Sequence, residues 1–299
     1  MSLQKESRMN IAIITDSNSG ITQAQAAELG VYVVPMPFMI DGETYEEGIT
    51  LSAEEFYDKQ AAGADISTSQ PSPATVTGLW DRLLMTYDQI VHIPMSSGLS
   101  GSCQTATVLA DDYDGKVEVV NNQRISVTQR QSVLDAKELA ESGLSAYEIR
   151  TILEKTKFDS SIYIMVETLK YLKKGGRITA SAAALGTLLK IKPVLQIRGE
   201  KLDSFAKART AKQAKGIILS AIARDLDTLL HDPQAERCCL QVAHCQNPEG
   251  AKELEDELKA LYPGVPVYTD ALSLSIACHI GPGAFAAAVT GRIDLPEQD

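Results

Sequence analysis

The chain of 299 residues is near the length at which one hydrophobic core gives way to two domains, and its 44% hydrophobic and 22% charged residues are typical of a globular protein. Its net charge of -11 argues against a nucleic-acid-binding protein, since such proteins carry a basic face, and no apolar run approaches the roughly 20 residues that span a bilayer. The five cysteines are odd in number and form no Cys-x-x-Cys pair, which predicts reduced thiols in a cytoplasmic protein and no metal site.

The first half of the chain predicts a mostly parallel α/β/α sheet domain over residues 9–158. Residues 1–8 are polar, and we expect them to be a disordered tail or a cloning remnant. Short apolar runs alternate here with helical patterns, which favours parallel strands joined by right-handed crossovers. Strands are predicted at residues 10–15, 31–40, 89–94 and 116–121. The second of these is broken by Pro35 and Pro37, and Asp41–Gly42 after it predicts a hairpin turn. Helices are predicted to begin at Thr22, Ser52, Ser72, about Ser100 and, for the second of two helices after the last strand, Ser145.

After about residue 158 the pattern changes, because hairpins now mix with helices. Residues 159–299 therefore predict a second, α+β domain. Its predicted elements are a strand at 161–167, a short helix ending at the glycines 175 and 176, a hairpin over 193–208 that turns at Gly199–Glu200, a long helix from about Thr210 to Leu230, a strand at 238–245, a helix at 248–261, and apolar strands at 265–271 and 284–289. No linker separates the halves, so we expect them to pack closely, with a cleft between them.

Three polar loops are predicted to lie at the carboxyl edge of the parallel sheet, where open α/β sheets bind ligands. They are TDSNSG (15–20), STSQPSP (67–73) and SSGLSG (96–101). The last two run into helix N-termini, whose free N–H groups and dipole favour an anion. Serine, threonine and glycine before a helix are also ordinary N-caps, so each loop alone has a structural explanation. Two such loops converging on one edge favour a binding site.

The histidine most suited to a site is His279, just before the turn Gly281–Gly283. A rigid turn can aim this ring at a ligand, although a purely structural histidine fits the same position. A serine with a histidine also raises the hypothesis of a hydrolase. Against it, the chain has no G-x-S-x-G elbow, and no acidic residue is marked out as the third member of a triad.

Basic residues are concentrated in LKYLKKGGRI, residues 169–178, within an otherwise acidic chain. They either complement the dipole at a helix C-terminus or form a docking patch for an acidic partner or a phosphate. The next stretch, TASAAALGTLL at 179–189, is rich in small residues. Such residues allow helices to pack closely, and they can also leave room for a narrow apolar tunnel.

Five motifs in order resemble the DegV family, whose members bind fatty acids and some of which are the carrier subunit of bacterial fatty-acid kinase. The motifs are ITDSNSG (14–20), ISTSQPSP (66–73), IPMSSGLSGSCQTA (93–106), LKYLKKGGRI (169–178) and HIGPG (279–283). The resemblance implies a two-domain α/β protein with a fatty acid buried between the domains. The residues it implies for the ligand carboxylate are Thr68, Ser97 with its neighbour Ser96, and His279. The loop residues it implies as support are Asp16, Ser17, Ser69 and Gly98, and those it implies for kinase docking are Arg177, Lys173 and Lys174.

On this resemblance we expect a cytoplasmic carrier without catalytic activity, cofactor or metal. It would take a long-chain fatty acid from the membrane surface, hold it in a buried tunnel, and present the carboxylate to a separate ATP-dependent kinase that makes an acyl phosphate for phospholipid synthesis. Its partners would be the fatty acid, the kinase subunit and, transiently, the membrane surface, with no nucleic acid. Two alternatives stay open: a binding protein for another anionic amphiphile without a kinase, and a serine esterase that uses Ser97 and His279.

Overall fold

The computed structural model describes residues 9–185 and 191–295, so the predicted tail and part of the small-residue stretch at 179–189 lie outside the described residues. The strands are β1 (Ile11–Asp16), β2 (Tyr32–Val34), β3 (Pro37–Ile40), β4 (Glu43–Glu46), β5 (Ile66–Thr68), β6 (Gln89–Ile93), β7 (Val117–Val119), β8 (Ser160–Met165), β9 (Lys192–Ile197), β10 (Leu202–Ala208), β11 (Cys238–His244), β12 (Val267–Ala271) and β13 (Phe285–Gly291). The α-helices are α1 (Gln23–Leu29), α2 (Ala53–Ala61), α3 (Pro73–Leu83), α4 (Ser102–Ala110), α5 (Ser126–Glu141), α6 (Ala146–Lys155), α7 (Lys170–Gly175), α8 (Ala180–Leu185), α9 (Ala211–Thr228), α10 (Pro248–Leu261) and α11 (Leu274–Ile280).

A four-stranded parallel sheet in the order β2-β1-β6-β7 forms the centre of the first half, as predicted. Its strands are apolar on both faces because helices cover both. On one face Val133 of α5 and Ile149 of α6 pack against the sheet, and on the other Trp80 of α3 and Cys103 of α4 do so. The α/β/α arrangement is therefore confirmed.

A second, small sheet in the first half was not predicted as a separate unit. It is antiparallel, in the order β4-β3-β5. The predicted strand at 31–40 is divided at Pro35, which has no N–H to donate to a ladder, and its two parts enter different sheets. The predicted hairpin turn at Asp41–Gly42 is confirmed, with both residues in the left-handed region that a type I′ turn requires.

The second half is built on a mixed six-stranded sheet in the order β10-β9-β8-β13-β11-β12. Neighbouring strands in it are antiparallel except β11 and β12. Helices α9 and α10 cover one face through residues such as Ile218 and Leu254. The other face turns toward the first half of the chain, so the sheet has no open side.

The two halves share one hydrophobic cluster. Phe38, Phe56 and Leu99 from the first half belong to it, and so do Ile164 of β8 and Leu195 of β9 from the second. Burying apolar area of this kind is the main favourable term in association, so the halves are held together chiefly by this cluster. None of the described helices combines the length and the hydropathy that a membrane crossing requires.

The predicted helix caps are largely confirmed. Thr22, Ser52, Ser72, Ser145 and Thr210 each accept a backbone N–H in the first turn of the following helix. Helix α4 is different, because its N-cap is Gly101, which has no side chain to offer.

All five cysteines are free thiols, as expected, and three of them are buried.

A buried carboxylate ties α9 to the central strand β8. Asp225, 1% exposed, accepts hydrogen bonds from the hydroxyls of Ser161 at 2.7 Å and Tyr163 at 2.6 Å.

Replacing Asp225 with alanine leaves two buried donors without an acceptor, so we expect Asp225→Ala to lower the free energy of unfolding by about 3 kcal/mol. Urea denaturation measures this, with Asp227→Ala as the control, since Asp227 is exposed on the same helix. Equal losses in the two variants would contradict the prediction.

Candidate functional site

A cavity opens between the two halves, where the small sheet, the loop after β6 and helix α11 meet. It encloses about 520 Å³, including the part open to solvent, which lies within the range of roughly 300–1,000 Å³ of small-molecule sites. Its lining residues come from both halves and are Asn18, Met36, Thr68, Ser69, Gln70, Met95, Leu99, Ser100, Ile125, Leu172, Arg177, Leu202, Ser275, Ile276, His279 and Ile280. All three polar loops singled out in the sequence therefore contribute to one cavity.

The centre of its polar wall is a hydrogen bond between the halves. Thr68 Oγ1, at the end of β5, lies 3.0 Å from His279 Nε2, in the last turn of α11. Burial, assisted by the positive charge of Arg177, lowers the pKa of His279 to about 4. The ring is therefore neutral at neutral pH, and it can share a hydrogen bond with a ligand.

A glycine fixes where the histidine ring lies. The Nδ1 side of His279 packs directly on Gly175, the last residue of α7, where a Cβ would collide with the ring. Packing against the ring thus explains why the first glycine of the sequence motif KKGG cannot be a larger residue. Gly176, which follows, closes the helix in the left-handed region that favours glycine.

The charge at the cavity comes from Arg177. Its side chain is partly buried, lines the cavity, and donates a hydrogen bond to the carbonyl of Gly175. The resemblance assigned Arg177, Lys173 and Lys174 together to a docking face. In the structure both lysines are exposed and Lys174 pairs with Asp65 at 2.6 Å, whereas Arg177 lines the cavity. The docking role of all three stays a prediction.

The first polar loop is held by a buried carboxylate. Asp16, 2% exposed, caps the short 3-10 turn at residues 17–19 and accepts N–H groups from Asn18, Gln129 and Met95. Burial raises its pKa, and those hydrogen bonds oppose the shift. Asp16 does not line the cavity itself. It positions Asn18, which does, and whose Oδ1 accepts the hydroxyl of Ser275 at 2.6 Å.

A second carboxylate, the half-buried Glu47, had no signal in the sequence, since it is one of several acids in and after β4. Its carboxylate accepts the hydroxyl of Ser17 at 2.6 Å and the N–H of Leu274, the first residue of α11. Burial raises its pKa. Glu47 therefore links Ser17 of the first loop to the helix that carries His279, and the support role implied for Ser17 stays a prediction.

Ser96 and Ser97 of the third loop lie beside the cavity rather than in its lining, whereas Ser100 of the same loop lines it. Ser96 is buried, donates its hydroxyl to the carbonyl of Glu200 at 3.2 Å, and accepts the N–H of Gly98. Ser97 is partly exposed. Among the residues that the resemblance assigned to the carboxylate, Thr68 and His279 line the cavity, while the roles of Ser96 and Ser97 stay predictions.

Gly98 has a structural reason to be glycine. A Cβ there would collide with Glu200 in the turn between β9 and β10. The loop after β6 and this turn therefore touch backbone to backbone, and the glycine is required by that close approach.

A second cavity, of about 450 Å³, lies beside the first. The two share Ile125, Leu202, Ile276 and Ile280 as lining residues. Apart from Ser126, the second is lined by apolar residues, including Ile162, Ile164 and Ala288. The first cavity carries the polar side chains and is partly open to solvent, and the second has an apolar wall; we call them the polar mouth and the apolar interior, or inner cavity. Their position side by side suits an amphiphile with a long apolar tail. Within the described residues, no group of three or more His, Cys, Asp or Glu side chains is placed to hold a metal ion.

A family model described as "Uncharacterised protein, DegV family" matches residues 10–292. The chain belongs to the DegV family. Its resemblance to that family, drawn from five short motifs, is thereby confirmed over nearly the whole chain.

Curated DegV relatives match at moderate identity. Protein DegV of Bacillus subtilis (strain 168) is 32% identical over 280 residues, covering 92% of this chain and 97% of the relative. A DegV domain-containing protein of Deinococcus radiodurans is 36% identical over 217 residues, covering 72% of this chain and 77% of its own.

Solved DegV structures share the fold. A DegV family protein from Thermus thermophilus, described with fatty acid binding, superposes with a TM-score of 0.84 at 31% identity, covering 95% of this chain and all of its own. DegV from Bacillus subtilis, described as a fatty acid binding protein, superposes with a TM-score of 0.83 at 30% identity and the same coverage. The α/β architecture is therefore that of known DegV proteins.

The contact between Gly175 and His279 gives a direct test of the site's geometry. We expect Gly175→Ala to push the imidazole away from Thr68, because the new Cβ and the ring cannot occupy the same space. The imidazole resonances of His279 in NMR spectra should shift, and the thermal midpoint should fall. Gly78→Ala is the control, since Gly78 lies within α3 with no atom near its Cβ position and a helical alanine is favourable there. Unchanged His279 resonances in Gly175→Ala would contradict the packing described.

Proposed function

We propose that this protein binds a long-chain fatty acid, with the carboxylate at the polar mouth and the tail in the apolar interior. The observation that carries the proposal is that the two cavities are adjacent and share Ile125, Leu202, Ile276 and Ile280 as wall residues. In this proposal the tail of the ligand passes from one cavity into the other. The descriptions of the Thermus thermophilus and Bacillus subtilis relatives as fatty acid binding support the same ligand class.

The apolar tail supplies most of the affinity in this proposal. Each buried methylene group contributes about 0.8 kcal/mol, so a tail of about a dozen gives roughly 10 kcal/mol before the costs of association. Such a tail needs a passage without polar groups that it would leave unpaired. The interior walls, among them Ile162, Ile197 and Leu272, meet that need.

The carboxylate needs partners, because a buried charge without them costs several kcal/mol. Thr68 and Ser275 offer hydroxyls, and the neutral ring of His279 offers a further hydrogen-bonding position. Arg177 supplies the only guanidinium in the described lining of the mouth, and it is the counter-charge in this proposal. Ser96 and Ser97 stay proposed contacts, as the resemblance implies, that would need the loop after β6 to turn them inward.

We further propose that the protein is a carrier without catalysis of its own. A separate ATP-dependent kinase would transfer a phosphoryl group from ATP to the presented carboxylate, giving an acyl phosphate and ADP. The exposed side chains of Lys173 and Lys174, beside the mouth, are the proposed docking contacts. The proposal implies a cytoplasmic protein that meets the membrane surface transiently to collect its ligand.

The same proposal treats the two halves as domains that meet at the ligand. Helix α6 ends at Lys155 and β8 begins at Ser160, which supports the boundary near residue 158. Residues 9–158 would then form one domain and residues 159–299 the other. The cavity draws its lining from both.

Two alternative functions, binding of another anionic amphiphile and serine esterase activity, differ in the chemistry that they require. A binding protein for another anionic amphiphile would use the same mouth and interior without a kinase. A serine esterase receives no geometric support, because in the described part of the chain no hydrogen bond joins Ser97 to His279, and Nε2 of that ring is engaged by Thr68.

The first test is to identify what the purified protein holds. We expect denaturation and extraction with organic solvent to release near-stoichiometric fatty acid, detected by mass spectrometry. The variant Thr68→Val combined with His279→Ala should carry much less, because the carboxylate loses two polar partners. An empty extract from the wild-type protein, repeated after incubation with a mixture of fatty acids, would contradict the proposal.

The separation of Arg177 from the lysines predicts two distinct phenotypes. Arg177→Gln should weaken fatty-acid binding by about tenfold or more, because a charge-assisted contact to the carboxylate is lost. Lys173→Glu should leave binding unchanged and reduce phosphorylation of the bound acid by a fatty-acid kinase, because its side chain is exposed outside the cavity. Fluorescent fatty-acid displacement measures the first effect and radiolabelled ATP the second. Equal affinity of wild type and Arg177→Gln would remove Arg177 from the site.

A further inference from the structure

The inner cavity follows one strand of the second sheet. On β13, Ala286 and Ala288 face the cluster that contains α11, while Ala287 and Val289 face the opposite cluster beneath α9. Successive residues of a strand point to opposite faces, so this alternation is the normal one. The unusual feature is that the cavity-facing positions of a central strand carry alanine, where larger β-branched residues are typical.

The register of the sheet shows what flanks these alanines. Ala286 lies opposite Ile164 of β8 and Ala243 of β11. Ala288 lies opposite Ile162 and Gln241. The short side chains therefore form the base of a groove along β13, with isoleucines on the β8 side.

Helix α11 covers this groove. Ile276 and Ile280 of α11 line both cavities, so the groove begins close to the mouth. A two-residue step along a strand advances about 6.8 Å, the length of about five methylene groups of an extended chain. Ala286 and Ala288 thus mark two successive depths in the interior.

Next to the groove, on the same face of the sheet, lies a row of buried polar side chains, which we call the polar rung: Gln241, Thr290 and Ser160. Thr290 Oγ1 donates to Gln241 Oε1 at 3.2 Å, and it lies 3.1 Å from Ser160 Oγ. All three are at most 6% exposed. Thr290 is two residues beyond Ala288, so it points to the same face.

The polar rung is anchored to the opposite wall. Gln241 Nε2 donates to the carbonyl of Val127 at 2.8 Å, in the first turn of α5, and Val127 itself lines the inner cavity. An apolar chain that advanced past Ala288 would have to break this network and leave buried polar groups unpaired. That cost makes the polar rung a firm end to the passage.

We propose that β13 acts as a ruler for acyl-chain length, in which the polar rung stops the methyl end and Ala288 sets how long a chain fits. This inference rests on the proposed function, since it assigns the tail of the fatty acid to the inner cavity. It makes Ala288 a specificity-determining residue and defines the ligand class as unbranched acids whose tails reach the polar rung without entering it.

The test compares the affinities of saturated acids from decanoic to eicosanoic acid, measured by displacement of a fluorescent fatty acid. Ala288→Leu should shift the preferred acid shorter by about three carbons and weaken the longest acid that wild type binds well by about tenfold. Ile162→Ala, at the position directly opposite, should shift the preference longer or broaden it. The double variant with Ala288→Leu and Ile162→Ala should return toward the wild-type preference for chain length. The volume added at position 288 is then removed at the position opposite.

The control is Ala62→Leu, the same substitution at an exposed position after α2, which should leave the profile unchanged. Circular dichroism checks folding, and if Ala288→Leu does not fold, Ile162→Ala decides the question alone. A length profile identical to wild type in both interior variants overturns the ruler while fatty-acid binding stands. Absence of fatty-acid binding by wild type overturns the proposed function and the ruler with it.

Discussion

Helix α11 is held at both ends by the small antiparallel sheet, and the geometry of the site depends on this double attachment. At its N-terminus the carboxylate of Glu47, in the loop after β4, accepts the N–H of Leu274. In its last turn His279 bonds to Thr68, at the end of β5. A helix of seven residues is too short to be stable alone, so these contacts and its packing fix its position. Ile276 and Ile280 of the same helix line both cavities, so the helix forms a wall that the polar mouth and the apolar interior share.

Buried polar groups around the mouth form a connected network rather than isolated contacts. Asp16 holds the turn that presents Asn18, and Asn18 meets Ser275. Glu47 joins Ser17 to α11. Buried networks of this kind are costly when incomplete and specify a single arrangement when satisfied. The loops therefore owe their positions to carboxylates that do not themselves line the cavity.

The sequence predicted the regular elements well because their signals are local. Caps such as Thr22 and Ser145, and the Asp41–Gly42 turn, act within a few residues of themselves. The parallel order of the first sheet followed from alternating strands and helices. The motifs also identified Thr68 and His279, which the structure brings within hydrogen-bonding distance across 211 positions of sequence.

Features that depend on distant partners could not be predicted in the same way. Glu47 is one acid among several, and only its contacts with Ser17 and Leu274 distinguish it. The sequence grouped Arg177 with its neighbouring lysines because it cannot show which side chain turns inward. The small sheet was missed as a unit because its strands are short and β5 pairs with β3 from well outside the hairpin.

The close approach of Gly98 to Glu200 has a consequence for how this fold can vary. The tip of a hairpin in the second half lies against a backbone position in the first that has no room for a side chain. Ser96, beside it, donates its hydroxyl to the same turn. The loop after β6 and the turn between β9 and β10, about a hundred residues apart in sequence, thus fit closely against each other. A chimeric protein joined near residue 158 from two relatives would keep the core of each half intact. It would, however, bring together a loop after β6 and a β9–β10 turn that do not fit each other. A working chimera must therefore take both of these loops from the same parent.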